Sequence, residues 1–136
     1  MTPREETKRG LVVRWLAMAD EDLSAAEVLL GQKKPFLFAA GFHAQQAAEK
    51  SLKAFLTWHQ VEFPKTHDLG VLLDLAARAA PDLEQELRDT VALNPYGVQE
   101  RYPGEGTPMS VEEARQAVVL ARKARAAVGR ALEGRV

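Results

Sequence analysis

The stretch GFHAQQAAEKSLKAFL, residues 41–56, carries the strongest signal of the fold in this sequence. Its small and apolar residues recur three or four positions apart, which is the period of one face of an α-helix. That face consists of Ala44, Ala47, Ala48, Ser51, Leu52 and Phe55. Because most of these side chains are small, neighbouring helices can approach closely. The stretch therefore predicts a helix at the centre of a helical core.

The same helix carries a second, polar stripe. His43, Gln46, Lys50 and Lys53 are three, four and three residues apart, so they share one face, and Glu49 can pair with Lys53 four residues later. One interpretation is a solvated face with an ion pair worth about 0.3–0.5 kcal/mol. The other is a ligand site, because an imidazole that ionises near neutral pH suits phosphate binding or proton transfer.

Helical signals also dominate outside this stretch, and strand signals are nearly absent. We predict helices over 11–30, from Pro35 to about residue 60, from Thr66 or Asp68, from Pro81, and from Ser110, where Glu113 completes a capping box. The sequence thus predicts an all-α, up-down bundle of four to five helices. We expect one domain over 1–136, with residues 1–10 flexible.

Composition excludes several classes of function. The 18 basic and 19 acidic residues leave a net charge of −1, so nucleic acid or an anionic membrane would need a local patch. The absence of cysteine excludes disulfides, thiolate nucleophiles and cysteine–zinc sites. His43 and His59 are ~24 Å apart along a helix and cannot share an ion. We predict no metal, no cofactor, no membrane contact and a cytoplasmic location.

Two further segments carry candidate ligand groups. His67, in KTHDLG, stands at the start of the third predicted helix, where a helix N-terminus attracts anions; capping or loop packing is the alternative. Arg101 and Tyr102 precede Pro103 in the long loop 94–109. Arg can grip phosphate and Tyr can stack on a base, or both can cover the end of the bundle.

The C-terminal helical segment, residues 110–136, is basic. It has three acids and a net charge of +3 from Arg115, Arg122, Lys123, Arg125, Arg130 and Arg135. Cations late in a helix also suit its dipole, so this charge does not by itself indicate a ligand.

Four segments together resemble the HEPN family (higher eukaryotes and prokaryotes nucleotide-binding): WLAMADEDLSAAEVLL, FHAQQAAEKSLKAFL, KTHDLGVLL and RYPG. Their order and spacing agree with the family over nearly the whole chain. The resemblance implies an all-α bundle, usually a homodimer. It also implies frequent pairing with a small nucleotidyltransferase in a toxin–antitoxin or stress module, and many members are metal-independent RNases.

The chain departs from the RNases of that family, which carry Arg, four to six residues, and then His. No arginine lies between Arg14 and Arg78, and no histidine follows His67, so that motif is absent. The resemblance instead favours the branch with Thr-His-Asp-Leu and Arg-Tyr-Pro, which is associated with nucleotide binding. The candidate ligand residues are His43, Gln46, Lys50, Lys53, His67, Arg101 and Tyr102.

Three hypotheses follow for the function. The first is a module that binds a nucleotide or RNA phosphate. The second is a metal-independent RNase with a non-standard active site, in which His43 or His67 is the general base and Lys50 or Arg101 steadies the phosphate. The third is a structural partner without a ligand. Whether the chain is an enzyme stays open on the sequence alone.

Overall fold

Helices make up nearly all the regular structure of the computed structural model, which describes residues 2–98, 102–104 and 108–136. They are α1 (Pro3–Leu30), α2 (Leu37–Trp58), α3 (Leu69–Ala76), α4 (Pro81–Leu87), a 3-10 helix (Arg88–Tyr96) and α5 (Val111–Ala131). The described ranges contain no β-strand. The predicted all-α bundle is confirmed.

Helices α1 and α2 run in opposite directions. Lys8, early in α1, lies over the ring of Trp58 at the end of α2, with 4.0 Å from Nζ to the ring centre. Asp22, late in α1, contacts His43 near the start of α2. This antiparallel pairing brings the polar side chains of α2 beside α1.

The core face predicted for α2 is confirmed. Its residues Ala44, Ala47, Ala48, Ser51, Leu52 and Phe55 are all buried. Gly41 extends the close packing toward the N-terminal end of α2, since a Cβ at this position would stand 2.7 Å from the Met109 side chain. The small residues of α2 therefore let the rest of the bundle close around it.

Three predicted boundaries need correction. Helix α1 begins at Pro3, not residue 11, because the Thr2 side chain caps it by accepting the Glu5 amide N–H. Helix α2 begins at Leu37, two residues after Pro35. The 3-10 helix continues to Tyr96, into the segment predicted as loop. The flexibility of residues 1–10 stays a prediction.

The predicted capping box of α5 is confirmed. Ser110 Oγ accepts the Glu113 amide N–H, and the Glu113 carboxylate accepts the Ser110 N–H, both at 3.0 Å. The hydrogen bonds from Ser110, first from its backbone and then from its side chain, lower the pKa of Glu113. This local network fixes where α5 starts.

The basic charge of α5 is largely matched within the fold. Four of its cations pair with acids of neighbouring elements: Arg122 with Glu27, Arg125 with Asp20, Lys123 with Asp89 and Arg130 with Glu86. These pairs join α5 to α1, α4 and the 3-10 helix. The net charge of +3 in this segment therefore mainly supports the packing of α5 against its neighbours and is not by itself a phosphate surface.

No helix in the described ranges is long and apolar enough to span a bilayer.

Candidate functional site

Two histidine–carboxylate clusters lie along α2. The first, the Asp22 cluster, consists of Asp22, His43 and Lys50. One Asp22 oxygen lies 2.8 Å from His43 Nδ1, and the other accepts a hydrogen bond from Lys50 Nζ at 2.5 Å. His43 and Lys50 are seven residues apart, or about two helical turns, so both reach the same carboxylate on α1.

Asp22 takes the place of an apolar residue on α1. Ala19, Asp22 and Ala26 are buried at spacings of three and four, on the side of α1 that packs in the bundle. A buried carboxylate needs opposite charge and hydrogen bonds to offset its lost hydration. Lys50 and His43 supply this charge and these hydrogen bonds from α2, so the cluster connects the two helices through polar contacts.

The second, the Glu49 cluster, consists of Glu49, Lys53, His67 and Gln45. Glu49 Oε1 lies 2.8 Å from His67 Nδ1 and accepts a hydrogen bond from Gln45 Nε2 at 3.2 Å. Glu49 Oε2 accepts a hydrogen bond from Lys53 Nζ at 2.9 Å. The Glu49 side chain is only 4% exposed, whereas that of His67 is 72% exposed. A buried carboxylate thus holds an exposed imidazole.

Aromatic rings complete the environment of Lys53. Its Nζ lies 5.6 Å from the Trp15 ring centre and 5.8 Å from the Phe63 ring centre, within the range of cation–π attraction. The side chain of Lys53 is 10% exposed. Its charge is therefore used inside the fold, against Glu49 and two aromatic faces.

Gln45 joins the Glu49 cluster to the surrounding backbone. The fully buried Gln45 also donates to the His67 carbonyl at 3.0 Å and accepts a hydrogen bond from Gln46 at 2.6 Å. A Cβ at Gly97 would stand 3.0 Å from the Gln45 side-chain carbon. The glycine thus lets the chain after the 3-10 helix approach this network.

The Thr-His-Asp-Leu segment holds His67 in place through its neighbours. Asp68 is the N-cap of α3, and Thr66 Oγ1 accepts the Asp68 amide N–H. Asn94 of the 3-10 helix accepts the Leu69 N–H and donates to Asp68 Oδ1, both at 2.9 Å. Of the two predicted N-caps, Asp68 is the one observed, and His67 stands just before it.

The structure divides the predicted stripe of α2. His43 and Lys50 belong to the Asp22 cluster, Lys53 belongs to the Glu49 cluster with His67, and Gln46 reaches the latter through Gln45. The alternative of a solvated face is wrong for Lys53, which is buried. The predicted Glu49–Lys53 ion pair is confirmed.

The two remaining predicted ligand residues are Tyr102 and Arg101. Tyr102 is exposed, and in the described part of the chain it has no hydrogen bond or ring contact with either cluster. Arg101 lies outside the described residues. Of the seven predicted residues, two therefore belong to the Asp22 cluster and three to the Glu49 cluster or its neighbour Gln45.

Sequence reasoning missed Asp22 and Gln45. The signal for Asp22 was present, because a helix period that predicts burial for Ala19 and Ala26 also includes position 22. An acid at a buried helix position needs a cation or a hydrogen-bond donor as its partner. Gln45 gave no such signal, since its role depends on the backbone of a distant segment.

In each cluster the carboxylate contacts Nδ1 of the histidine, so Nε2 is the nitrogen that can exchange a proton or contact a ligand. A carboxylate only accepts hydrogen bonds, so Nδ1 of His43 and of His67 carries the proton. Nε2 is then the nitrogen that accepts a proton, or, in the imidazolium form, donates to an anion such as phosphate. The carboxylates thus fix both the tautomer and the orientation of the ring.

His59 differs from the other two histidines. It caps the C-terminal end of α2, and its ring centre lies 4.4 Å from that of Phe55. Burial lowers the pKa of His59, and the nearby cations Arg135 and Lys8 lower it further. Across the described ranges, no group of three or more His, Asp or Glu side chains is arranged to hold a metal ion.

Comparison with known proteins identifies the family of this chain. The family model described as the HEPN domain matches residues 12–131. Among solved structures, the chain is similar to TT1696 from Thermus thermophilus, at 29% sequence identity and a TM-score of 0.68. That match covers 88% of this chain and 96% of the other. The search of curated proteins returned no match.

Proposed function

Because the chain belongs to the HEPN family, we propose that it is a nucleotide- or RNA-phosphate-binding module whose His43 and His67 contact phosphate through Nε2. Family membership supports the general, nucleotide- or RNA-related role. The observation that carries the finer proposal is that two buried carboxylates, Asp22 and Glu49, each hold one imidazole at Nδ1. Such rings are oriented before any ligand arrives, which lowers the entropic cost of binding.

The charges of the two clusters support a proton-linked mode of binding. Asp22 and Lys50 cancel, as do Glu49 and Lys53, so each cluster is neutral when its histidine is neutral. Protonation of the imidazole gives each cluster a net charge of +1 and a charged donor at Nε2. Phosphate binding should therefore strengthen as the pH falls and weaken with added salt.

The remaining candidate residues take supporting roles in this proposal. Lys50 and Lys53 anchor the carboxylates, and Gln46 orders Gln45. Arg101 would grip a phosphate and Tyr102 would stack on a base. We propose further that the module acts in the cytoplasm as a homodimer, paired with a small nucleotidyltransferase in a toxin–antitoxin or stress system.

Calorimetric titration tests the binding proposal. ATP, GTP and a short single-stranded RNA are titrated at low salt into the wild-type chain and into His43→Ala, His67→Ala and His59→Ala. We expect binding of at least one ligand, weakened about tenfold or more by His43→Ala or His67→Ala and unchanged by His59→Ala, the matched control. Absence of heat with all three ligands, confirmed by competition with a fluorescent nucleotide and a labelled RNA, contradicts the proposal.

A second candidate function is supported by the same pairs. A carboxylate that holds the Nδ1–H of an imidazole is the arrangement of a general base. Nε2 of His67 or His43 would take the proton of an RNA 2′-hydroxyl, whose oxygen attacks the adjacent phosphorus. The 5′-oxygen of the next nucleotide leaves and takes a proton from solvent, while the imidazolium returns its proton to solvent, which gives a 2′,3′-cyclic phosphate and a 5′-hydroxyl. Lys50 or Arg101 would stabilise the charge of the phosphate.

An RNA-cleavage assay in EDTA separates these two functions. A metal-independent RNase produces cyclic-phosphate ends, and His67→Ala or His43→Ala abolishes them. If cleavage survives both substitutions, neither histidine is the base. If RNA binds and stays intact, the chain is a binding module.

A further inference from the structure

The outer surface of α1 carries a strip of residues that α2 and α5 leave uncovered. Its members alternate four and three residues apart along more than five helical turns, so they share one face. The strip consists of Thr7, Leu11, Arg14, Met18, Glu21, Ala25 and Val28. Leu11, Met18 and Val28 are 40%, 44% and 62% exposed. Large apolar side chains at a regular spacing on a helix surface suit helix–helix packing.

The surface around this strip is concave. A groove of about 410 Å³ is lined by Leu11, Arg14, Trp15, Ala17 and Met18. A second hollow of about 240 Å³ continues toward the N-terminal end along Thr7, Gly10, Leu11 and Arg14. All the residues that line these two hollows belong to α1. Their shape leaves room for the side chains of a second helix.

Small residues border the strip at every seventh position. Gly10, Ala17 and Ser24 are exposed, and a Cβ added at Gly10 would meet no atom within 4 Å. Small side chains at a contact let two helix axes approach closely. A large residue of one helix can then rest against a small residue of the other.

The charges on the strip distinguish a protein partner from a nucleic acid. Arg14 and Glu21 carry opposite charges, so the strip is neutral overall and offers no phosphate surface. Within the described ranges neither residue forms an ion pair, although the neighbouring acids Asp20 and Glu27 both pair with α5. The two unpaired charges are seven residues apart on the same face.

We infer that this strip is where a second copy of the chain docks, with the two α1 helices antiparallel about a twofold axis between Ala17 and Met18. In an antiparallel pair of identical helices, the residue numbers of two facing residues always add up to the same value, which is 35 here. Met18 then faces the partner's Ala17, Leu11 faces the partner's Ser24, and Gly10 faces the partner's Ala25. A twofold interface must be self-complementary in this way.

The same register pairs the charges. Arg14 of each copy faces the partner's Glu21, which gives two ion pairs related by the axis. A shift of one heptad would keep large residues against small ones, but it would place Arg14 against the partner's Arg14 or Glu21 against the partner's Glu21, so the charges favour this register. The inference deepens the homodimer in the proposed function by naming its face and register, and it is independent of whether the module binds phosphate.

Charge exchange tests the register by sedimentation equilibrium on the whole chain. The wild-type chain should sediment at about twice its 15.0 kDa mass. Arg14→Glu alone, or Glu21→Arg alone, places like charges together and should raise the dimer dissociation constant about tenfold or more. The double exchange restores opposite charges and should return the constant to within about threefold of wild type. Arg115→Glu, at an exposed position of α5, is the matched control.

A single cysteine tests the proximity of the two helices. Since the chain has no cysteine, Ala17→Cys introduces a unique thiol next to the proposed axis. Mild oxidation should convert most of this variant to a disulfide-linked dimer, whereas Val119→Cys, on the exposed side of α5, should not crosslink. Both positions are exposed, so folding, checked by circular dichroism, is retained.

The outcomes separate the dimer from its face. A dimer that neither Arg14→Glu nor Glu21→Arg weakens, or that crosslinks no better through position 17 than through 119, overturns the α1 strip and leaves the dimer standing. A chain that stays monomeric at millimolar concentration overturns both and leaves the strip to a different protein. Neither result bears on phosphate binding.

Discussion

The Asp22 and Glu49 clusters contain the same chemical groups, an acid, a lysine and a histidine, but they expose them differently. In the Asp22 cluster all three side chains are partly covered, with His43 33% and Lys50 18% exposed. In the Glu49 cluster the acid and the lysine are almost fully buried while His67 stands 72% exposed. One cluster joins two long helices, and the other presents a histidine at the surface.

This difference indicates how each cluster contributes to stability. A charged group that loses a partner in a buried site keeps its desolvation cost without compensation, whereas an exposed group recovers water. The Glu49 cluster should therefore be the more sensitive to loss of its acid, and His67 should be the residue that is most dispensable to folding. Substitutions in each cluster test this contrast.

The largest effect is expected from Glu49→Ala. It leaves buried Lys53 without its counter-ion and removes a hydrogen-bond partner of Gln45, so the free energy of unfolding should fall by about 3–5 kcal/mol. Urea denaturation measures this. Glu49→Gln, which keeps the shape and one acceptor oxygen, should cost less. A loss below about 1 kcal/mol for Glu49→Ala would show that the Glu49 cluster behaves like a surface ion pair.

Asp22→Ala should have the next largest effect, about 1–3 kcal/mol. Its partners His43 and Lys50 are partly exposed and regain some hydration. Adding Lys50→Met removes the unpaired cation and should recover part of the loss, which a double-mutant cycle measures. If the two substitutions are additive, Asp22 and Lys50 do not interact in solution.

His67→Ala should change the free energy of unfolding by less than about 1 kcal/mol, as expected of an exposed ion-pair partner. The same substitution should remove most of the phosphate binding. Thermal denaturation and titration on one preparation give both values. A large loss of stability with intact phosphate binding would show that His67 supports the fold and does not bind phosphate.

The smallest effect concerns the pH dependence of stability at His59. Its pKa is lowered in the folded chain, by burial first and then by Arg135 and Lys8, so the unfolded chain binds more protons as the pH falls below about 6.5. Stability that is present above this pH is lost as the pH falls through the folded pKa. His59→Gln should therefore lose less stability than wild type between pH 7.5 and 5.

Lys8→Met provides a partial version of the same change, because it removes one of the cations that lower the pKa of His59. Its pH dependence should lie between those of wild type and His59→Gln. Urea denaturation at several pH values measures all three chains. Identical slopes would show that His59 titrates alike in the folded and unfolded states.

The helix period predicted the core of α2 because burial there repeats with local spacing. The same period placed His43, Gln46, Lys50 and Lys53 on one face but could not divide them between two carboxylates. That division depends on Asp22, 21 residues before His43, and on His67, 18 residues after Glu49. Contacts between distant segments are set by how the helices pack, which a local period does not describe.

The start of α1 shows the opposite case, in which the local signal was sufficient and was misread. Thr2 followed by Pro3 and Glu5 is a good N-terminal cap, and the structure uses it. The prediction of a helix from residue 11 did not use this signal. A polar segment is compatible with a helix when it continues the period of the residues that follow.

Histidine side-chain NMR measures directly whether His43 and His67 contact phosphate through Nε2, because the chain has only three histidines and the third, His59, is a control. Nitrogen-15 spectra are recorded as ATP, and separately a short single-stranded RNA, is added at low salt. We expect the Nε2 resonances of His43 and His67 to shift with at least one ligand, while the Nδ1 resonances of both rings and both resonances of His59 change little. Unchanged spectra with both ligands, or shifts as large at His59, would contradict it.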